Sequence, residues 1–146
     1  MINGVQIIPL KKIDDERGAV LHMLRKDAPH FRQFGEVYMS YVNYKKIKAW
    51  KRHKLQFQNL AVPFGLIKLV LSDSRDGSST AGEIMAIEIG YENYNLVTIP
   101  PLVWYGFQGL SQPTSLIVNC ADIPHDPAES ERADIAENSP VQYLWN

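Results

Sequence analysis

The stretch KAWKRHKLQ, residues 48–56, gathers Lys48, Lys51, Arg52, His53 and Lys54 around Trp50. Six of the chain's fifteen Lys and Arg residues fall between Lys45 and Lys54. Such residues can hold an anion, take up a proton as a neutral amine or imidazole, or, for lysine, form a Schiff base with a ketone. Read as an extended strand, the segment divides by alternation. Ala49, Lys51, His53, Leu55 and Phe57 share one face, which turns apolar toward its C-terminal end and is expected to point inward. Lys48, Trp50, Arg52, Lys54 and Gln56 share the other, expected to be a solvated face or a dimer rim. Lys51 and His53 can point inward only if they line a polar pocket, because unpaired charge is costly in an apolar interior.

Other chemistries find less support. The four histidines, His22, His30, His53 and His125, form no HxH or HxxxH pair, and Cys120 is the only cysteine. Neither a metal site nor a disulfide is therefore expected. There is no G-x-S-x-G elbow for a serine nucleophile. No P-loop or G-x-G-x-x-G is present, so no cofactor is expected and phosphate would be held by Arg and Lys side chains. Residues 45–54 could serve as a nucleic-acid strand, with Trp50 and Phe57 for stacking. A net charge of -1 and a single basic strand argue against that use.

The elements that must position these residues read as strands. GVQIIPL, VYMSYVNY, FQNLAV, GLIKLVLSD, EIMAIEIG, NLVTIPP and TSLIVNCAD are short runs rich in Val, Ile, Leu and Tyr. Gly, Pro, Asn, Asp or Ser punctuates them about every ten residues, the rhythm of a sandwich or barrel. The one helical signal before the tail is a turn or two in KDAPHFRQFG, with Asp27 as cap and Pro29 at the start. DERG, at 15–18, predicts a turn with Gly18 at positive φ. The more polar tail from Pro124 onward is expected to form a short helix plus loops, or an arm bound to a partner. At 146 residues, 45% of them hydrophobic, the chain suits one domain spanning 1–146. No run is long enough to span a bilayer, and the first residues lack a signal-peptide pattern, so a cytoplasmic location is expected.

Order and spacing together carry a more specific signal. DERG (Asp15 to Gly18), FGEVYMS (34–40), KAWKRHKLQ, GLIKLVLSDSRDGSSTAGE (65–83), IPPLVWYGFQGLS (99–111) and SPVQYLW follow one another along most of the chain. In this order they resemble the short members of the dTDP-4-dehydrorhamnose 3,5-epimerase family. The resemblance implies an all-β cupin or jelly-roll barrel of two packed antiparallel sheets with a short polar C-terminal tail. It further implies a homodimer and a pocket inside the barrel for a nucleotide diphosphate sugar with a 4-keto group. The implied chemistry is proton removal beside the ketone and proton return on the opposite face, which needs a base, an acid and enolate-stabilising donors.

Carried over position by position, the resemblance places different residues at the reaction centre. Lys51 stands where the family has its catalytic histidine, and Asn138 where it has the aspartate that orients that histidine. The family's tyrosine acid falls near Val118, and the histidine of its I-P-x-x-x-x-H-G-F motif falls on Tyr105. The enolate-side lysine falls on Gln58, across a gap of about three residues, and a glutamate after the RG pair falls on His22. Arg17 is retained, Lys48 replaces an arginine, and Trp104, in the IPP motif, is counted with the substrate-binding residues. His53 lies two residues from the histidine position, about 6.6 Å along a strand.

The functional expectation is Lys51 as base, Tyr105 as acid or oxyanion donor, and His53 and Asn138 in support, acting on a 4-keto sugar nucleotide. Burial, Arg52 and His53 are expected to lower the lysine pKa. The alternatives are a catalytically silent cupin that binds a sugar nucleotide or other small molecule, and a nucleic-acid or protein-interaction module using strand 45–54.

Overall fold

The computed structural model describes residues 1–146, and the apolar runs become strands as their alternation predicts. In chain order these are β1 (Gln6–Pro9), β2 (Lys12–Asp15), β3 (Gly18–Leu21), β4 (Glu36–Asn43), β5 (Ile47–His53) and β6 (Gln58–Phe64). They continue with β7 (Leu66–Asp73), β8 (Ile84–Gly90), β9 (Asn95–Ile99), β10 (Val103–Gly109), β11 (Thr114–Ala121) and β12 (Ser130–Arg132). One sheet runs β1-β9-β6-β11-β4 and the other β12-β5-β10-β7-β8, all pairs antiparallel, with β2-β3 as a separate hairpin. The two sheets face each other as the expected jelly-roll barrel.

Alternation fills the space between them. From the first sheet Val42, Leu60, Val62, Val97, Ile99 and Ile117 point inward. Ile67, Leu69, Leu71, Ile89, Val103 and Phe107 meet them from the second. Leu60, Phe107 and Ile117 of this apolar layer border a more polar region formed by Tyr38 and Ser40 on β4 and by Lys48 and Lys51 on β5.

Strict alternation fails in β5, and the expected solvated face of Lys48, Trp50, Arg52, Lys54 and Gln56 does not form. Tyr105 of β10 pairs with Lys51, but Phe107 pairs with Lys48, so Ala49 and Trp50 together oppose the single residue Gly106. This is a β-bulge, and it inverts the facing of everything on one side of it. A Cβ at Gly106 would lie 2.5 Å from the Ala49 Cβ and 2.9 Å from a Trp50 ring atom, so the bulge needs a glycine there. Lys48 consequently joins Lys51 on the inner wall. Trp50 faces outward yet is 2% exposed, and Gln56 is buried as well. Leu55, expected inside, is 69% exposed in the connection to β6.

The cover over Trp50 is the chain's own tail. Val141, Tyr143 and Trp145 pack with Trp50, Val70 and Trp104 on the outer face of the second sheet. The Trp50 and Trp145 rings lie 5.3 Å apart, and Gln108 Nε2 donates to the Asn146 carbonyl at 2.9 Å. The tail thus packs on its own barrel, and the short helix expected in it is a 3₁₀ turn at Pro127–Glu129, capped by Asp126. Residues 26–35 hold no helix, only turns across the outer side of the first sheet. The expected turn at Gly18 is present, with φ at 144°.

Candidate active site

Three neighbouring strands of the second sheet place one residue each in a single row. Arg132 of β12 pairs with Lys51 of β5, and Lys51 pairs with Tyr105 of β10. Cross-strand partners share a face, with strands about 4.8 Å apart, so the three side chains stand side by side. They open into a cavity of about 420 Å³ between the sheets, within the range that holds a small-molecule ligand. Lys48, Ala49 and Phe107 extend this wall. The opposite wall belongs to the first sheet and consists of Tyr38 and Ser40 on β4, Leu60 on β6, and Ile117 and Asn119 on β11.

Burial and charge set the chemistry of the row. Lys51 has its pKa lowered, chiefly because burial penalises its ammonium and then because Arg132 stands beside it; Glu129 works in the other direction. Arg132 therefore takes the part expected of Arg52 and His53. Arg52 points outward, pairs with Glu131 and lies over the Trp104 ring at 4.8 Å. Lys48, Lys51 and Arg132 line the cavity with no carboxylate in its lining, so the wall is cationic.

Behind the row lies a second layer. His53 is 3% exposed, does not line the cavity, and has its Nε2 3.3 Å from the Tyr105 hydroxyl. Its Nδ1 pairs with the Glu129 carboxylate, itself buried. The other oxygen of Glu129 accepts the Leu55 and Gln56 backbone N–H groups, both at 3.3 Å. Burial lowers the His53 pKa against the pull of Glu129. Burial also pushes the Glu129 carboxyl up, but His53 and the two amides outweigh it and hold the group below its usual value. The pair is a neutral imidazole beside a carboxylate.

Tyr105 closes the gap between the two walls. Burial raises its pKa well above the ordinary phenol value, and the neighbouring Tyr38 phenol adds to the shift. Tyr38 reaches across from β4, where the Asn119 amide donates to its oxygen at 2.7 Å and its hydroxyl donates to Gln58 Oε1 at 3.2 Å. Gln58 is fully buried, held by Gln56 and Asn119 as well. A continuous polar chain therefore runs Glu129, His53, Tyr105, Tyr38, Asn119.

Of the sequence-predicted residues, Lys48, Lys51 and Tyr105 meet in the cavity lining, with His53 and Gln58 directly behind it. Asn138 lies exposed on the tail, and the group that holds the nearby histidine is Glu129. Trp104 faces outward beneath the tail. Arg17 sits at the exposed tip of the β2-β3 hairpin, paired with Asp15 at 2.7 Å, and His22 follows that hairpin, half-buried. Sequence reasoning missed Glu129, at the end of the 3₁₀ turn, Arg132, in the short β12, and Tyr38, whose strand carries apolar side chains on both faces. No group of three or more His, Cys, Asp and Glu side chains converges to hold a metal ion.

The chain is 29% identical to the spore coat polysaccharide biosynthesis protein SpsL of Bacillus subtilis strain 168, over all of this chain and 97% of that one. It is 30% identical to the probable low-salt glycan biosynthesis epimerase Agl13 of Haloferax volcanii, over 81% of this chain and 77% of that one. Among solved structures, a dTDP sugar isomerase from Desulfovibrio desulfuricans G20 superposes with a TM-score of 0.89 at 49% identity, covering 91% of this chain and 85% of that one. The family model described as dTDP-4-dehydrorhamnose 3,5-epimerase matches residues 1–140, and the chain belongs to that family.

Proposed function

We propose that the protein epimerises or isomerises a 4-keto sugar nucleotide by proton transfer at a carbon next to the ketone. The observation that carries this reading is the pair of opposed walls: Arg132, Lys51 and Tyr105 in a row on one, Tyr38 and Asn119 on the other. Inversion at carbon needs a base and an acid on opposite faces of the sugar ring, and a ring held between two sheets meets that need. Lys51, with its lowered pKa, takes the proton as a neutral amine. The electron pair moves onto the ketone oxygen, and the neighbouring cations and amide stabilise the enolate. Tyr38 returns a proton from the other wall. Lys48 and Arg132 offer the charge that a diphosphate requires in the absence of any glycine-rich phosphate loop.

A homodimer belongs to the same proposal. Met39, Tyr41 and Phe64 are more than half exposed on the outer face of the first sheet, beside Leu116 and Val118. Light scattering that found only monomer at micromolar concentration would contradict it. So would recovery of the chain in a membrane fraction contradict the cytoplasmic location that goes with this substrate; no helix is long and apolar enough to cross a membrane.

The reaction itself is tested by solvent deuterium uptake into dTDP-4-keto-6-deoxyglucose. Exchange that depends on Lys51 supports the assignment, and tight dTDP binding with no exchange would leave only a binding protein.

A further inference from the structure

The Glu129–His53 pair is buried and does not line the cavity, yet it is built with every polar atom assigned. Glu129 Oε2 is committed to the Leu55 and Gln56 amides, so Oε1 alone faces His53 Nδ1. A carboxylate there requires the proton on Nδ1. Nε2 is then a lone pair, and the only group it meets is the Tyr105 hydroxyl. The phenol proton must therefore point away from the cavity, toward His53. Tyr105 thus turns oxygen lone pairs, not a donor, toward the cavity wall that it shares with its cross-strand partner Lys51.

We propose that Glu129 and His53 are positioning residues that fix Tyr105 as a hydrogen-bond acceptor for Lys51 and so orient that lysine as the base. A neutral lysine amine has two N–H groups and one lone pair. When Tyr105 accepts one N–H, the lone pair is free to turn into the cavity. As the substrate C–H bond breaks, the proton goes to Lys51 Nζ and the bonding pair becomes the enolate. The new ammonium then keeps Tyr105 as its acceptor, with Glu129 supplying the nearest negative charge. The sequence expectation of Tyr105 as a donor is thereby reversed. This inference rests on the proposed reaction for its catalytic consequence, but not for the orientation of Tyr105.

The groups that face Lys51 are Arg132 from β12, Tyr105 from β10, Lys48 from its own strand and Tyr38 across the cavity. Those that face His53 are Glu129, Tyr105, Lys51 and, farther off, His125. Glu129 is the only carboxylate among them.

Glu129→Gln is the decisive variant. Its amide oxygen keeps the two backbone N–H groups, so its NH₂ faces Nδ1 and forces the proton onto Nε2, which then donates to Tyr105. Nitrogen-15 NMR of labelled protein is expected to show His53 protonated at Nδ1 in the native chain and at Nε2 in the variant. The kcat for deuterium exchange is expected to fall ten- to a thousandfold with dTDP affinity unchanged. The alkaline-rising limb of the pH profile is expected to move to lower pH, since a negative charge that favours the ammonium is gone. An unchanged tautomer, or unchanged kcat with an unmoved limb, overturns the proposal. Should Glu129→Gln unfold, the native tautomer alone decides: a proton on Nε2 overturns it. If the native chain shows no exchange, the functional reading fails while the NMR result still settles how Tyr105 is oriented.

Discussion

Lys51 and Tyr105 are direct cross-strand partners on the cavity wall, the one from β5 and the other from β10. The β-bulge just before Lys51 makes this pairing significant. Without the two-for-one step of Ala49 and Trp50 against Gly106, Lys48 and Lys51 would lie on opposite faces of the sheet. With it, two lysines and Arg132 share one wall, and burial lowers the pKa of Lys51, the lysine paired with the phenol.

Arg132 is expected to bind and to tune. Arg132→Ala removes a cation from the cavity and should weaken dTDP binding several-fold, with a shallower salt dependence. It also removes a charge that lowers the Lys51 pKa. A base must be deprotonated to act, so the alkaline-rising limb of kcat should move to higher pH. A pH–rate profile with the limb unmoved would remove Arg132 from the tuning of Lys51.

Tyr38 stands on the wall opposite Lys51, and its replacement separates the two halves of the reaction. Tyr38→Phe should retain much of the deuterium exchange, because proton removal is intact. Inversion should fall by about 10²-fold, the usual scale of losing a general acid. Product stereochemistry by proton NMR distinguishes the two. Equal loss of both would assign Tyr38 to substrate positioning instead.

Trp145 holds the tail against the barrel. Trp145→Ala uncovers Trp50, which is 2% exposed in the native chain, and should cost about 2 kcal/mol, below the full-burial range because Trp145 is itself only half-buried. Denaturant unfolding measures the loss, and the fluorescence of the remaining tryptophans should shift to the red. dTDP affinity should change little, since the tail and the cavity lie on opposite faces of the second sheet.

Asp73 carries acid-dependent stability. Arg75 beside it, against the opposing effect of burial and with help from the Ser78 and Thr80 hydroxyls, holds its carboxyl well below the usual carboxylate range. Arg75 Nε donates to it at 2.8 Å, and the Asp73 side chain is wholly inaccessible. A depressed folded-state pKa gives stability that is present above the unfolded value of 3.8 and is lost as the pH falls toward the folded one. Asp73→Asn, which breaks a buried ion pair, should cost about 3 kcal/mol at neutral pH. Its unfolding free energy should also change less between pH 4 and pH 2 than that of the native chain.

Much of the barrel was legible in the sequence because strand alternation is local and most strands are amphipathic. The site was legible only in part. KAWKRHKLQ announced the wall that carries Lys51, but its facing depended on Gly106, more than fifty residues away, and no local pattern contains that information. Glu129 and Arg132 belong to the polar triplet Ser-Glu-Arg and its flank, which become ordered only by pairing with β5. Tyr38 was overlooked because both faces of β4 are rich in apolar side chains, so alternation there does not separate inside from outside. Asn138 came from counting back along a tail whose path is set by packing against Trp50, not by the cavity.

The central claim is that Lys51 removes a proton next to the ketone of a 4-keto sugar nucleotide. The direct measurement is solvent deuterium incorporation into dTDP-4-keto-6-deoxyglucose, followed by mass spectrometry, for the native chain, Lys51→Met and Lys51→Arg. Incorporation by the native chain, lost in both variants while Lys51→Arg still binds dTDP, is the predicted result. Incorporation that survives Lys51→Met at the native rate would contradict it.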